Sequence, residues 1–501
     1  MAAACIRLPS RQFIVGLICW ALLHAGCASW PHPTRSPRIG ESGPEGNCAA
    51  FFAALDHQTV SSNAVNAGFG RIDRYPYLRS NRFLASFGNE IESNRKFTAW
   101  LDHLQNLDQS ARRTEIANMS AAAIASMGNT AVREDLFKKV ITCGDRLRAS
   151  DFSDPENRLQ LKQDVVVKDA YIPLRQAIGL YPLTSLFVSR GVRQWHEEAR
   201  QRFGARSTTG NKAIRYASTA TAEPAQARHI VRHTERDALG IPSYDHTQRR
   251  ALFEAHAPQW QVDTTGQFDR IGSPFWSPEG HISVDTTMPV TYTHLSFTRY
   301  DQAILTQLNY IIWFPARPKS YAMDIYGGIL DGLNYRVTLN TAGRPILYET
   351  MHNCGCYYKA YPTNHLRVRE TIAYAEPPLI FSAPDLKQSS QTMVVAMQSR
   401  THYVNHLYFL ERRMQPASIP YTLVDYEALT RLARPDGGFR SMFDRTGIVP
   451  GTQRLERYLL WPTGVLSPGA MRQWGTHAVA FVGRRHFDDP FYLEEMFTFA
   501  N

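Results

Sequence analysis

Hydrophobic residues recur with a helical period in the amino-terminal third of the chain. Phe97, Trp100, Leu101 and Leu104 are spaced i, i+3, i+4 and i+7, which is the stripe of an amphipathic helix. The surrounding sequence keeps this polar–apolar texture over residues 47–203. The pattern predicts a helical region that packs as a bundle.

The texture changes towards strands in the second half of the chain. Leu308–Phe314 is a continuous apolar run rich in β-forming residues, which suits a strand buried on both faces. Residues 335–350 have the pattern of a hairpin around Thr-Ala-Gly-Arg. We therefore expect an α+β protein. Its β-rich part, over 229–501, should form an antiparallel sheet, sandwich or barrel-like structure with closing helices. Residues 204–228 contain few large apolar groups and predict a linker or exposed loop.

Composition places the chain among globular proteins. Of 501 residues, 44% are hydrophobic and 20% are charged, so the chain can bury a large core and disorder is excluded as its main state. The formal net charge is +10, which reflects either a solvated basic surface or contact with anionic partners. No zinc-finger spacing, RNP-type motif or dense basic helix is present, so we expect no nucleic-acid partner.

The first 26 residues have the pattern of a secretory signal. Arg7 and Arg11 form a basic start, and the apolar stretch Phe13–Leu23 follows. A helix needs about 20 apolar residues to cross a bilayer, so this stretch is too short to span stably. Small residues come next and complete a signal peptide over 1–26.

The end of this leader, Ala25-Gly26-Cys27, resembles the lipobox of bacterial lipoproteins. The resemblance implies cleavage before Cys27, lipidation of Cys27 and anchoring in the outer membrane with the body facing the periplasm. Residues 27–46 are rich in Pro, Gly and Ser and predict a flexible tether. The alternative is cleavage near Ala28 or Ser29, which would release a soluble periplasmic protein.

Four of the seven cysteines remain if the leader is removed and Cys27 is lipidated. An even number is typical of an oxidising compartment. Cys48 and Cys143 both lie on predicted apolar helix faces, so we predict a disulfide between them. Buried free thiols are the alternative. The other two cysteines, Cys354 and Cys356, are separated by one residue.

The segment His352-Asn353-Cys354-Gly355-Cys356 is the strongest candidate for chemistry. If the preceding strand continues through it, His352, Cys354 and Cys356 share one face, because side chains alternate along a strand. Imidazole and thiolate are ligands of zinc and copper. The segment therefore predicts a zinc or copper site, a redox-active dithiol, or cysteines with a purely structural role.

His402 and His406 could complete such a site. They are four residues apart, which puts both on one face of a strand or one turn apart on a helix. The alternative is a pair of half-exposed histidines on a β-face. Their assignment as ligands rests on contact with His352.

Two functions remain open from the sequence. The first is a metal- or thiol-dependent enzyme with its site around His352, Cys354 and Cys356. The second is a non-catalytic envelope protein that binds a protein or small molecule, with structural cysteines. Motifs of serine hydrolases, P-loop proteins, dinucleotide-binding proteins and zincins are absent from the sequence.

Overall fold

The structure of the protein is a computed structural model, which describes residues 40–128, 132–204, 212–219, 222–372, 374–386, 391–411 and 418–500. The predicted signal peptide, Cys27 and most of the predicted tether lie outside these residues. The lipoprotein resemblance therefore stays a prediction.

The amino-terminal part is helical, as predicted. The helix that carries the stripe from Phe97 to Leu104 begins after Ser93, whose side chain accepts a hydrogen bond from Lys96 N, and all four stripe residues are buried. The helices are α1 (Pro44–Ser61), α2 (Arg82–Ala85), α3 (Asn94–Asn118), α4 (Ala121–Ala125), α5 (Arg133–Asp151), α6 (Pro155–Asp164), α7 (Pro173–Ile178), α8 (Tyr181–Arg202), α9 (Pro224–His233), α10 (His246–Ala255), α11 (Arg457–Leu460) and α12 (Tyr492–Met496).

A disulfide joins the two helices on which the sequence places its cysteines. Cys48 of α1 and Cys143 of α5 have sulfur atoms 2.05 Å apart and Cα atoms 5.1 Å apart. Both lie in a core that extends beyond the helices to Leu239, Ile241 and Ile304. The helical part is therefore packed against the β-rich part.

The β-rich part is built on one large sheet. The strands are β1 (Gly70–Arg71), β2 (Arg79–Ser80), β3 (Lys212–Ser218), β4 (Gln259–Thr264), β5 (Ser273–Trp276), β6 (Ile282–Asp285), β7 (Val290–Tyr300), β8 (Ala303–Arg317), β9 (Gly328–Leu339), β10 (Pro345–His352), β11 (Lys359–Pro362), β12 (Leu366–Val368), β13 (Leu379–Ile380), β14 (Gln391–Met397), β15 (Val404–Glu411), β16 (Ile419–Asp425), β17 (Leu432–Ala433), β18 (Phe439–Arg440) and β19 (Phe497–Phe499).

The large sheet is mixed rather than purely antiparallel. Its order is β13-β11-β10-β9-β8-β7-β16-β3-β4-β14-β15. The long hairpins β7–β8, β8–β9 and β9–β10 are antiparallel, whereas β16 pairs in parallel with both β7 and β3. With the helices before and after this sheet, the fold class is α+β, which confirms the prediction.

The segment predicted as a linker or exposed loop, 204–228, instead contributes β3 and the start of α9. Within β3, Ile214 lies opposite Val262 and Tyr216 opposite the buried Trp260. The sequence does not predict this strand, because its few apolar residues show no clear alternation of apolar and polar positions among many small and polar neighbours. Its place in the sheet depends on partners distant in the chain.

Helix α8 lies against the β-rich part rather than inside a helical bundle. Its Trp195 ring contacts the rings of Tyr357 and Tyr403, with centroids 5.3 Å and 6.3 Å apart. Helices α7 and α8 also pack on the short 3-10 helix Trp461–Thr463. In the described part of the chain, no helix has the length and apolar character needed to cross a membrane.

Candidate ligand-binding site

A cavity of about 690 Å³ lies between α8 and the β-rich part. This size is typical of small-molecule sites. Part of the lining is apolar and comprises Phe187, Val188, Val192, Leu379, Leu459, Leu460 and Phe481. The rest includes polar and charged groups. The cavity therefore suits a ligand with an apolar part and a charged part.

Arg317, Tyr357 and Tyr403 form the polar floor of this cavity. The guanidinium donates from Nη1 to Tyr357 Oη and from Nη2 to Tyr403 Oη, both at 3.2 Å, and its carbon lies over both rings. In the described residues no carboxylate oxygen lies within 4.0 Å of this guanidinium. A half-buried guanidinium whose hydrogen bonds go to phenols can donate further hydrogen bonds to an anionic group.

The two other arginines in the cavity wall are occupied by the protein itself: Arg202 Nη2 donates to Glu198 Oε2 at 3.1 Å, and Arg485 is held by the loop around Val479. Arg485 donates to Glu376 O at 2.7 Å and to Val479 O at 3.0 Å, and its Nη2 lies 4.0 Å from Glu376 Oε1. Its guanidinium therefore stabilises the loop around Val479. Arg317 is the better candidate for contact with a ligand.

A tight turn after β10 places Tyr357 in the floor. Strand β10 ends at His352, and the chain reverses so that Gly355 N donates to His352 O and His352 N donates to Cys356 O. Gly355 has φ 96°, and a Cβ there would lie 2.3 Å from Ala478 O, so only glycine fits. The predicted continuation of the strand through Cys356 does not occur, and with it the shared face of His352, Cys354 and Cys356 is lost.

A chain of buried carboxylates and imidazoles lies behind the floor. Asp331 of β9 contacts His352 Nδ1 at 3.3 Å through Oδ1 and His402 Nδ1 at 2.8 Å through Oδ2. His402 Nε2 lies 3.3 Å from Asp269 Oδ1 in an ion pair that lacks hydrogen-bond alignment. The His402 ring also stacks on Phe314, with centroids 3.9 Å apart.

The pKa values of the two histidines shift in opposite directions. Burial lowers the pKa of His352, and Asp331 only partly offsets this, which favours the neutral ring. Burial opposes protonation of His402 as well, but Asp269 and Asp331 together raise the pKa of His402, which favours the protonated ring. Despite burial, the pKa of Asp331 is held well below its usual range by these imidazoles.

Glu456 adds a titratable group to the cavity wall. Burial raises the pKa of Glu456 to about 7, although the guanidinium groups of Arg317 and Arg454 lower it. His196 of α8 also faces the cavity, and burial lowers its pKa to about 4. Near neutral pH the wall therefore contains a neutral imidazole and a carboxyl group that changes charge.

Cys354 and Cys356 are free, buried thiols. Both lie in an apolar cluster with Trp276, Met442 and Phe443, and Cys356 also reaches the cavity wall. The sulfur of Cys354, together with burial, raises the pKa of the Cys356 thiol well above its ordinary value. Cys356 is therefore a protonated thiol, whereas metal ligands and nucleophiles need the thiolate.

The predicted metal ligands fall into three places. His352 and His402 meet on Asp331, the two cysteines lie in their apolar cluster, and His406 lies in β15 against Phe203 and Tyr408. His402 precedes β15 and has φ 52°, so it does not share a strand face with His406. No group of three potential ligands suited to a metal ion is found among the described residues. The zinc or copper site stays a prediction.

The floor itself was not foreseen from the sequence. Arg317 is the last residue of β8 and belongs to no motif. Tyr357 itself has a positive φ, and Tyr403 directly follows His402, whose φ is also positive. The one available signal is that Tyr357 directly follows the His-x-Cys-x-Cys segment. Asp331 and Glu456 belong to no sequence motif, and they come from segments that are far apart in the chain.

Comparison of the chain with known protein families, with curated proteins and with solved structures finds no match.

Proposed function

We propose that the protein is a lipid-anchored protein of the bacterial envelope whose cavity binds an amphipathic organic anion. The observation that carries this proposal is Arg317, a cation at the floor of a partly apolar cavity without a carboxylate partner. The anionic group of the ligand would accept hydrogen bonds from Arg317 and the phenols of Tyr357 and Tyr403. Its apolar part would lie along α8.

This proposal corresponds to the second function expected from the sequence, a non-catalytic envelope protein that binds a small molecule. A metal- or thiol-dependent enzyme around His352, Cys354 and Cys356 remains the second candidate. The end of β10 at His352, which leaves both cysteines in an apolar cluster, and the separation of His406 from His352 favour the first proposal. Metal analysis of protein exported to the periplasm tests the second candidate directly. A bound metal in equal amount to the protein, lost in His352→Ala, would establish that candidate.

Dodecanoate and dodecanol form a matched pair of probes for the anion site, because they share a chain and differ in charge. Calorimetric titration below the micellar range should detect dodecanoate binding and at least about tenfold weaker binding of dodecanol, since a hydrogen bond to a charged group contributes about 1.5–3 kcal/mol. Arg317→Met should weaken dodecanoate binding by about 10- to 100-fold for the same reason. Arg317→Lys should retain part of the affinity.

Arg367→Met is the control for this experiment, because Arg367 is exposed on β12 and lies outside the cavity lining. It should bind dodecanoate like the wild type. Thermal unfolding of each variant checks that the fold is kept. Equal affinity for the two probes, or an unchanged dodecanoate affinity in a folded Arg317→Met variant, would contradict the proposal.

Anion affinity should fall as the pH rises through about 7. In this interval Glu456 loses its proton and places a negative charge beside Arg317. The dodecanoate carboxyl, with an ordinary pKa of roughly 4, stays ionised throughout. Titrations at a series of pH values should show the fall in wild-type protein and its loss in Glu456→Gln. A fall of equal size in Glu456→Gln would assign the pH dependence to another group.

A further inference from the structure

Helices α7 and α8 present a large apolar surface to the outside of the molecule. We define the apolar face by Ile178, Leu180, Leu183, Leu186, Phe187 and Leu459. All six side chains are exposed, and Phe187 and Leu459 reach 80% and 65% exposure. Contiguous exposed apolar surfaces of soluble domains mark sites of interaction with proteins, membranes or ligands.

The apolar face shares residues with the wall of the cavity. Helices α7 and α8 pack on the 3-10 helix Trp461–Thr463, which directly follows α11 and its residue Leu459. Phe187 and Leu459 line the cavity, and both are also exposed at the outer surface. A partner that covers the apolar face would therefore also contact the cavity wall.

Positive charge borders the apolar face. Helix α8 continues from Phe187 into four exposed arginines against two glutamates, Glu197 and Glu198. The arginines are Arg190, Arg193, Arg200 and Arg202. Exposed apolar residues followed by arginines on the same helix suit contact with an anionic bilayer, where the guanidinium groups reach the headgroups.

We propose that the apolar face docks on a bilayer that contains anionic lipids, which places Phe187 and Leu459 of the cavity wall at the membrane contact. Helix α8 would lie in the plane of the interface. This contact is separate from the predicted anchor at Cys27, because it is made by the folded body. It does not depend on which anion occupies the cavity.

Vesicle co-sedimentation of the protein without the predicted leader, residues 1–26, and with Cys27→Ser tests the docking without the apolar leader and without the predicted lipid. The protein should bind vesicles of equimolar phosphatidylethanolamine and phosphatidylglycerol more strongly than vesicles of phosphatidylcholine. Combined Leu183→Ser, Leu186→Ser and Phe187→Ser should reduce the binding by at least about tenfold. The matched control is Met288→Ser, Val368→Ser and Phe439→Ser, which removes three exposed apolar side chains from other elements and should leave binding unchanged.

Equal binding of the α8 variant and the wild type, or equal loss in both triple variants, would overturn the proposal. A fluorophore sensitive to polarity, attached at Leu186→Cys, provides a measurement that does not require the triple variant to fold. Its emission should shift to the blue with anionic vesicles, whereas a fluorophore at Val368→Cys should not respond. Absence of the shift would overturn the proposal, as would self-association through the apolar face without vesicle binding. Dodecanoate titration reports separately on the anion site.

Discussion

Asp331→Ala is expected to lower the free energy of unfolding by about 3–5 kcal/mol, the range for breaking a buried ion pair by removal of one partner. The substitution leaves His402 without one of its two carboxylates, and it leaves His352 Nδ1 without its contact at 3.3 Å. Gly332 N also loses its acceptor, Asp331 Oδ1. Urea unfolding followed by far-UV circular dichroism measures the difference.

Asp436→Ala is the matched control for Asp331→Ala. Asp436 pairs with Arg434 at the surface, and its side chain is 64% exposed. Exposed ion pairs contribute roughly 0–1 kcal/mol, so this variant should unfold almost like the wild type. Equal, small effects of the two substitutions would show that Asp331 does not hold a charged network, and the buried arrangement described above would be incorrect.

Combined Cys48→Ala and Cys143→Ala is expected to cost about 2–5 kcal/mol of stability. The disulfide closes a sequence separation of 95 residues, so its loss releases a long loop in the unfolded chain. Wild-type protein unfolded in the presence of a reductant should approach the stability of this double variant. The variant itself should not respond to the reductant.

Combined Cys354→Ala and Cys356→Ala is the control for the disulfide. These thiols are free, so this variant should keep the full response to the reductant. A wild-type protein whose stability is unaffected by the reductant would contradict the disulfide between α1 and α5. A response that disappears in Cys354→Ala and Cys356→Ala would assign the redox-sensitive bond to that pair instead.

The parts of the fold that the sequence predicts are those with strong local patterns. The stripe of α3 is visible because one helix buries it along its whole length. Leu308–Phe314 lies in β8, which is buried on both faces, and the hairpin around Gly343 joins β9 to β10. In each case the signal lies within a few residues of the chain.

The candidate site could not be predicted in the same way, because its groups come from distant segments. Asp331 and His402 are 71 residues apart, and nothing in either neighbourhood signals the other. Positive φ values at Gly355 and His402 interrupt the strand periodicity that would give the predicted shared face. His352 and His402 are predicted to belong to one site only because both carry imidazole groups. The structure places both imidazoles against the Asp331 carboxylate. The cysteines lie in a separate apolar cluster.

Photolabelling tests most directly whether an amphipathic anion occupies the cavity. The probe is a dodecanoate analogue with a diazirine at the end of its chain, and mass spectrometry of the labelled peptides locates the adduct. We predict adducts within α8, near Phe187, Val188 and Val192, that excess dodecanoate prevents and that Arg317→Met largely loses. Adducts confined to other segments, or adducts in α8 that persist in excess dodecanoate and in a folded Arg317→Met variant, would contradict the proposed function.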